Sequence, residues 1–159
     1  MLIAHNIRST HNIGSLLRTA DGLGAKMIIS GYSPYPKMTN DTRLPHVSDK
    51  LTRQISKTAL GAEKSGWEYS TDVTKSIADL REQGFQVIAL EQAKDSIKLP
   101  DFKPSGKIVM LLGSEVRGIE SSLIRLCDKT VEVPMFGSKE SFNVATAASM
   151  ALYHCRFAS

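Results

Sequence analysis

The sequence predicts one α/β domain, a mostly parallel sheet with helices on both faces, and three observations carry that expectation. Short apolar runs alternate with stretches of helical periodicity from end to end. Several of those runs, such as KIVMLL and MIIS, are continuous rather than alternating, as in strands buried on both faces. No linker, repeat or low-complexity segment divides the 159 residues, so residues 1–159 are expected to form a single domain.

The elements follow in order. Leu2–Ile7 reads as a short strand, and Ile13, Leu16, Leu17 and Ala20 then recur at helical spacing. AKMIISG is a buried-type strand that stops at Gly31. From Tyr32 to Lys50 three prolines and the lack of periodicity predict a long loop, a feature that is usually functional or mobile in a compact domain. LTRQISKTALGAEKSG reads as a helix closing on Gly66, and WEYS as a short strand. DVTKSIADLREQG is a helix with Asp72 as N-cap and Gly84 as its stop. FQVIALEQ and KIVMLLGSE are strands on either side of a polar loop containing Pro100 and Pro104. IESSLIRLCD is a short helix, KTVEVPMF a strand, and SFNVATAASMALYHCRF the closing helix.

Composition limits the class of protein. At 42% hydrophobic and 23% charged residues the chain belongs with globular proteins. No apolar run approaches the ~20 residues of a membrane helix. The opening residues lack the basic and apolar regions of a secretory leader, so a cytoplasmic protein is expected. Cys127 and Cys155 are far apart in apolar settings, which suits reduced thiols better than a disulfide scaffold. The net charge of +4 is unevenly spread: residues 1–64 hold nine Lys or Arg against four Asp or Glu, and the remainder hold eleven against twelve. A basic excess confined to one part of the chain favours a polyanionic partner, with a plain solubilising surface as the alternative.

Familiar sites are absent. Gly22-Leu-Gly24 is followed by Met27 where a dinucleotide fingerprint needs its third glycine, and no P-loop occurs. The four histidines and two cysteines lack metal-ligand spacing, so no metal is expected. There is no GxSxG elbow. Three polar clusters remain, each next to a strand end. In the first, Asn12 stands where an N-cap belongs, and Arg18 lies off the apolar face of its helix, as a solvated residue would. In the second, GSEVRG (Gly113–Gly118) follows the most apolar strand, where open α/β sheets gather ligands. Gly113 permits close approach to the backbone there and Glu115 brings a carboxylate, although a simple tight turn would look the same. In the third, VPMFGSKESFNVA (Val133–Ala145) leads into the last helix, with Ser141 or Asn143 as N-cap, or with free backbone N–H groups offered to an anion.

Taken in this order, the Asn12 and Arg18 pair, LLGSEVRGI and VPMFGSKESFNVA resemble the SpoU (TrmH-like) RNA ribose methyltransferases of the SPOUT superfamily, over essentially the whole chain from Asn6 to about Tyr153. The resemblance implies a SPOUT-type α/β fold with a C-terminal trefoil knot, and a pocket for S-adenosyl-L-methionine lined by Leu90, Glu91, Gly113, Val133, Met135, Ser141 and Phe142. It implies catalytic roles for Asn12, Arg18, Glu115, Ser141 and Asn143 in methyl transfer to a ribose 2′-hydroxyl. Arg18 would act either as general base or as an electrostatic clamp on phosphate and developing alkoxide. A homodimer is implied, joined through the small residues of the last helix (Ala145, Ala147, Ala148, Ser149 and Ala151), with tight packing inside one subunit as the alternative. The resemblance implies a minimal, single SpoU-type domain with no separate RNA-binding domain, so RNA would be gripped by Arg8, Arg43, Lys50, Arg53 and Lys57, with Tyr32 and Tyr35 available for base stacking. The compact form resembles anticodon-wobble enzymes, so tRNA is the expected substrate; rRNA, or a noncatalytic RNA-binding or ribosome-assembly role, stands as the alternative.

Overall fold

A computed structural model describes residues 1–158. Seven strands form one sheet in the order β3-β2-β1-β6-β4-β7-β5, and every neighbouring pair is parallel. The strands are β1 (Leu2–His5), β2 (Met27–Ser30), β3 (Trp67–Ser70), β4 (Phe85–Leu90), β5 (Ile97–Lys98), β6 (Lys107–Leu112) and β7 (Lys129–Glu132). The helices are α1 (Thr10–Gly22), α2 (Pro45–Ala59), α3 (Val73–Glu82), α4 (Ser121–Ile124) and α5 (Val144–Phe157).

The continuous apolar runs are explained by burial on both sides. Successive side chains of a strand point to opposite faces. Leu2, Ala4, Met110 and Leu112 join a core with Leu16 of α1 and Ala148 of α5, while Ile3, Val109 and Leu111 join a second core with Ile77 and Leu80 of α3 and Leu123 of α4. The predicted two-faced parallel sheet is therefore present. Both cysteines are free thiols, and burial pushes the Cys127 thiol up to about 11 and raises that of Cys155.

Four local expectations need correction. The loop expected from Tyr32 to Lys50 ends earlier, because α2 begins at Pro45. The proline was read as a breaker, yet at a first helical position its fixed φ is favourable and its missing N–H costs nothing. The same helix ends at Ala59, with Leu60 in the left-handed conformation (φ 51°), rather than at Gly66. The first strand stops at His5, because Asn6 (φ 58°) turns the chain out of the sheet. Finally, the N-cap of α1 is Ser9, whose hydroxyl accepts the Asn12 N–H at 3.2 Å, so Asn12 lies inside the first turn with its side chain free for other partners. Asp72 caps α3 as expected, and Asn143 rather than Ser141 caps α5. The two-residue β5 is too short to leave a periodic signal.

No helix among the described residues is long and apolar enough to cross a membrane.

Candidate active site

With all strands parallel, every carboxyl end lies on one edge of the sheet, where the ligands of such folds bind. Beyond the ends of β4, β6 and β7 the chain encloses a cleft of about 560 Å³. Its lining includes Leu90, Glu91, Gly113, Val133, Ser141 and Phe142 from the predicted cofactor set. Met135, expected with them, does not line it; it is half-buried in the same segment.

The turn after β6 is closed by its own backbone. The Ser114 N–H donates to the Gly118 carbonyl at 3.1 Å, and the Gly118 N–H donates back at 2.9 Å. Glycine is required at both ends. A Cβ on Gly113 would lie 2.4 Å from the Gly118 carbonyl carbon, and one on Gly118 (φ 66°) would lie 2.3 Å from Glu91 Oε2. Glu91 braces this turn: its Oε2 accepts the Ile119 N–H at 2.8 Å and its Oε1 the Gln92 N–H at 3.0 Å.

Glu115 gathers the remote segments. Its Oε2 accepts the Arg8 N–H at 2.9 Å, and its Oε1 accepts the Ser9 N–H at 3.2 Å and the Asn12 Nδ2 at 2.8 Å. Asn12 in turn accepts at Oδ1 from Asn143 Nδ2 at 3.0 Å. Asn143 Oδ1 is meanwhile occupied in capping α5 through the Ala145 and Thr146 N–H groups. Partial burial pushes the Glu115 carboxyl up, but the N–H groups of Arg8 and Ser9 and the Asn12 amide outweigh it and leave the group below its usual range. Three segments far apart in sequence thus meet at the mouth of the cleft. Glu115 is an ionised anchor there, accepting three hydrogen bonds.

Ser141 is exposed on the cleft wall. Arg18 is exposed on α1 and does not line the cleft. Six residues separate it from Asn12, so it sits roughly 9 Å further along the helix and about 120° around it.

The basic residues divide into two kinds. Arg8, Lys50, Arg53 and Lys57 are exposed, and their charged groups make no ion pair among the described residues. Arg43, expected with them, is occupied. It forms a 2.5 Å bond to Asp41, donates to the carbonyls of Tyr35 and Pro36, and lies 3.5 Å from the Tyr35 ring centroid. Its guanidinium holds the Asp41 carboxyl well below the usual carboxylate range. Tyr35 is covered on its other face by Tyr69, with centroids 4.0 Å apart, so it offers no free face for a base. Tyr32 is 59% exposed. In α5 the small residues Ala145, Ala148 and Ala151 are buried within the subunit, and Ser149 pairs with Thr19 of α1 at 2.9 Å; the exposed surface of the helix carries Tyr153 and Phe157 instead.

Sequence reasoning missed Glu132, a buried carboxylate on the cleft wall that accepts from the Lys98 ammonium and the Ser96 hydroxyl. An acidic residue interrupting the apolar run of KTVEV was its signal. Asn6 was also missed, since nothing in composition marks a left-handed position.

A sequence model of the SpoU rRNA Methylase family matches residues 1–153. A tRNA (guanosine(18)-2′-O)-methyltransferase of Aquifex aeolicus is 24% identical over 159 residues, covering 98% of this chain and 68% of the relative. A 23S rRNA (guanosine-2′-O-)-methyltransferase of Neisseria meningitidis serogroup B is 31% identical over 161 residues, covering 98% and 57%. The crystal structure of the SpoU methyltransferase AviRb from Streptomyces viridochromogenes, in complex with the cofactor AdoMet, superposes with a TM-score of 0.76 at 25% identity, covering 98% of this chain and 58% of that one. The chain spans between 57% and 68% of the length of these curated relatives.

Proposed function

Since this chain belongs to the SpoU rRNA methylase family, we propose that it is an S-adenosylmethionine-dependent methyltransferase acting on a ribose 2′-hydroxyl of RNA, with tRNA as substrate. The observation that carries this reading is the meeting of Asn12, Glu115 and Asn143 at the mouth of the cleft. The cleft suits the cofactor. Its volume is in the ~300–1,000 Å³ range of small-ligand sites, and Leu90, Val133 and Phe142 give apolar walls for a purine beside backbone-rich turns. When bound, the cofactor supplies an electrophilic methyl group on a sulfonium.

The chain's own residues do the rest. Glu115 fixes the 113–118 turn against the start of α1, so that the ribose is met by a rigid wall. Ser141 and the Asn12–Asn143 pair offer hydrogen-bonding groups beside the hydroxyl, whose proton would pass to solvent water as the methyl group is transferred. Arg18 grips the adjoining phosphate and stabilises the developing alkoxide. A guanidinium stays protonated, so an electrostatic role is simpler than proton removal. Because Arg18 lies away from its own cleft, it serves the site of a second copy, and the active form is a homodimer. The exposed Tyr153 and Phe157 of α5 support that face as the contact. Arg8, Lys50, Arg53 and Lys57 hold phosphates. The finer topology belonging to this reading is a C-terminal trefoil knot, and the setting is cytoplasmic.

The test is transfer of a labelled methyl group to total RNA, fractionated into tRNA and rRNA, followed by mapping of the modified ribose. Label in tRNA as a 2′-O-methyl nucleotide is expected. Label in rRNA alone would move the substrate to the ribosome, and no label with intact cofactor binding would leave a binding protein.

A further inference from the structure

We propose that a second cavity on the same sheet edge, walled by Tyr32, Gln54 and Arg8, is a nucleobase pocket that holds an unpaired base of the RNA strand next to the methylated nucleotide. It rests on the reading of this chain as an RNA methyltransferase and adds to it the place where the strand is read.

The cavity measures about 630 Å³ and lies beyond the ends of β1, β2 and β3. It shares a wall with the cofactor cleft: Arg8 and Ser9 line it, and the same two residues donate their backbone N–H groups to Glu115, which lines the cleft. A nucleotide whose ribose faces the cleft therefore has a neighbour at this opening. The floor is rigid, being the Arg43–Tyr35–Tyr69 stack described above, with the Tyr69 hydroxyl donating to the Gly31 carbonyl at 2.8 Å.

Tyr32 is the free aromatic of the cavity. Its backbone is pinned, because its N–H donates to Asn6 Oδ1 at 3.1 Å and Gly31 before it (φ 68°) packs so closely that a Cβ would meet the same oxygen at 2.0 Å. The ring nevertheless stays 59% exposed. An aromatic ring held out by a fixed backbone is a stacking platform for an unstacked base. The Gln54 amide has no hydrogen-bond partner among the described residues and offers both a donor and an acceptor to a base edge. Charge completes the case. His46, Lys50, Arg53 and Lys57 are exposed at helical spacing along one face of α2, beside Leu51 and Gln54, which line the cavity. A strand with a base in the cavity runs its phosphates along that row.

The test uses fluorescein-labelled 12-nucleotide RNA of mixed sequence and, separately, an abasic strand of the same length, with affinity read by anisotropy. Tyr32→Ala is expected to weaken the base-bearing strand about tenfold, to leave the abasic strand unchanged, and to keep cofactor affinity and melting temperature as in the wild type. Tyr32→Phe is expected to restore binding, and 5-iodouridine in the strand to crosslink to Tyr32. Equal loss on both strands, no loss on either, or crosslinks confined to other residues would overturn the pocket. The measurement needs no methyl transfer. A Tyr32-dependent, base-dependent affinity in a protein that transfers no methyl group would therefore sink the enzymatic reading and leave the pocket standing.

Discussion

The two cavities on the carboxyl edge of the sheet are built from different materials. The cleft beyond β4, β6 and β7 is shaped by turns at Gly113 and Gly118, by apolar walls from Leu90, Val133 and Phe142, and by the carboxylates of Glu91, Glu115 and Glu132, which already have partners. The cavity beyond β1, β2 and β3 is made of side chains, namely aromatic rings, a free amide and cations. The first arrangement suits a ligand whose shape never varies, since backbone contacts leave little to adjust. The second suits a polymer that must be recognised among many similar ones. The boundary between the two cavities falls between the neighbouring strands β1 and β6.

The largest effect that would sharpen this contrast is expected at neither wall but at Arg18. Arg18→Lys should lower the single-turnover methyl-transfer rate at least a hundredfold, because an ammonium cannot reproduce the planar fork. Cofactor affinity measured by calorimetry should not change. Arg43→Ala should act on stability: it removes a half-buried ion pair with Asp41 and two bonds to loop carbonyls, a loss of about 1–2 kcal/mol read as a fall in denaturation midpoint. On the cleft side, Gly118→Ala forces a side chain into a left-handed turn and against Glu91. Strain of roughly 1–3 kcal/mol should appear mostly as weaker cofactor binding, about tenfold by titration. A Gly118→Ala protein that binds the cofactor normally would break the assignment of the turn.

Glu115→Gln comes next. The Glu115 carboxyl titrates below its usual 4.5, so its anchoring is complete above about that pH and fades as pH falls through the lowered value. The variant should be about 1 kcal/mol less stable at neutral pH, and the gap should close in acid. The smallest effect is on the polymer side. Arg53→Ala should leave melting unchanged and reduce the slope of log affinity against log salt by nearly one unit.

Legibility in the sequence followed the same division of materials. The sheet, its parallel sense and its two covered faces were readable, because Leu2, Ile3 and Ala4 in a row, or Val109 to Leu112, leave no polar face. The cleft was not readable from chemistry at all. Gly113 and Glu115 looked like an ordinary turn, and only the ordered resemblance of three segments joined them. On the polymer side the charge excess and the tyrosines were plain, but which groups were free was not. Arg43 and Tyr35 carry the same side chains as Arg53 and Tyr32 yet spend them on Asp41 and Tyr69, a pairing set by how the 35–43 loop folds back. Asn12 was misread as a cap because Ser9, three residues earlier, competes for the same N–H and wins it.

The bond from Asn143 to Asn12 spans 131 positions of the chain. During synthesis α1 emerges early and must then wait, roughly 7–26 seconds at ~5–20 residues per second, for the segment that completes its cluster. Until Asn143 has been made, Asn12 and Glu115 lack their third member, so the cluster closes only after most of these residues are in place.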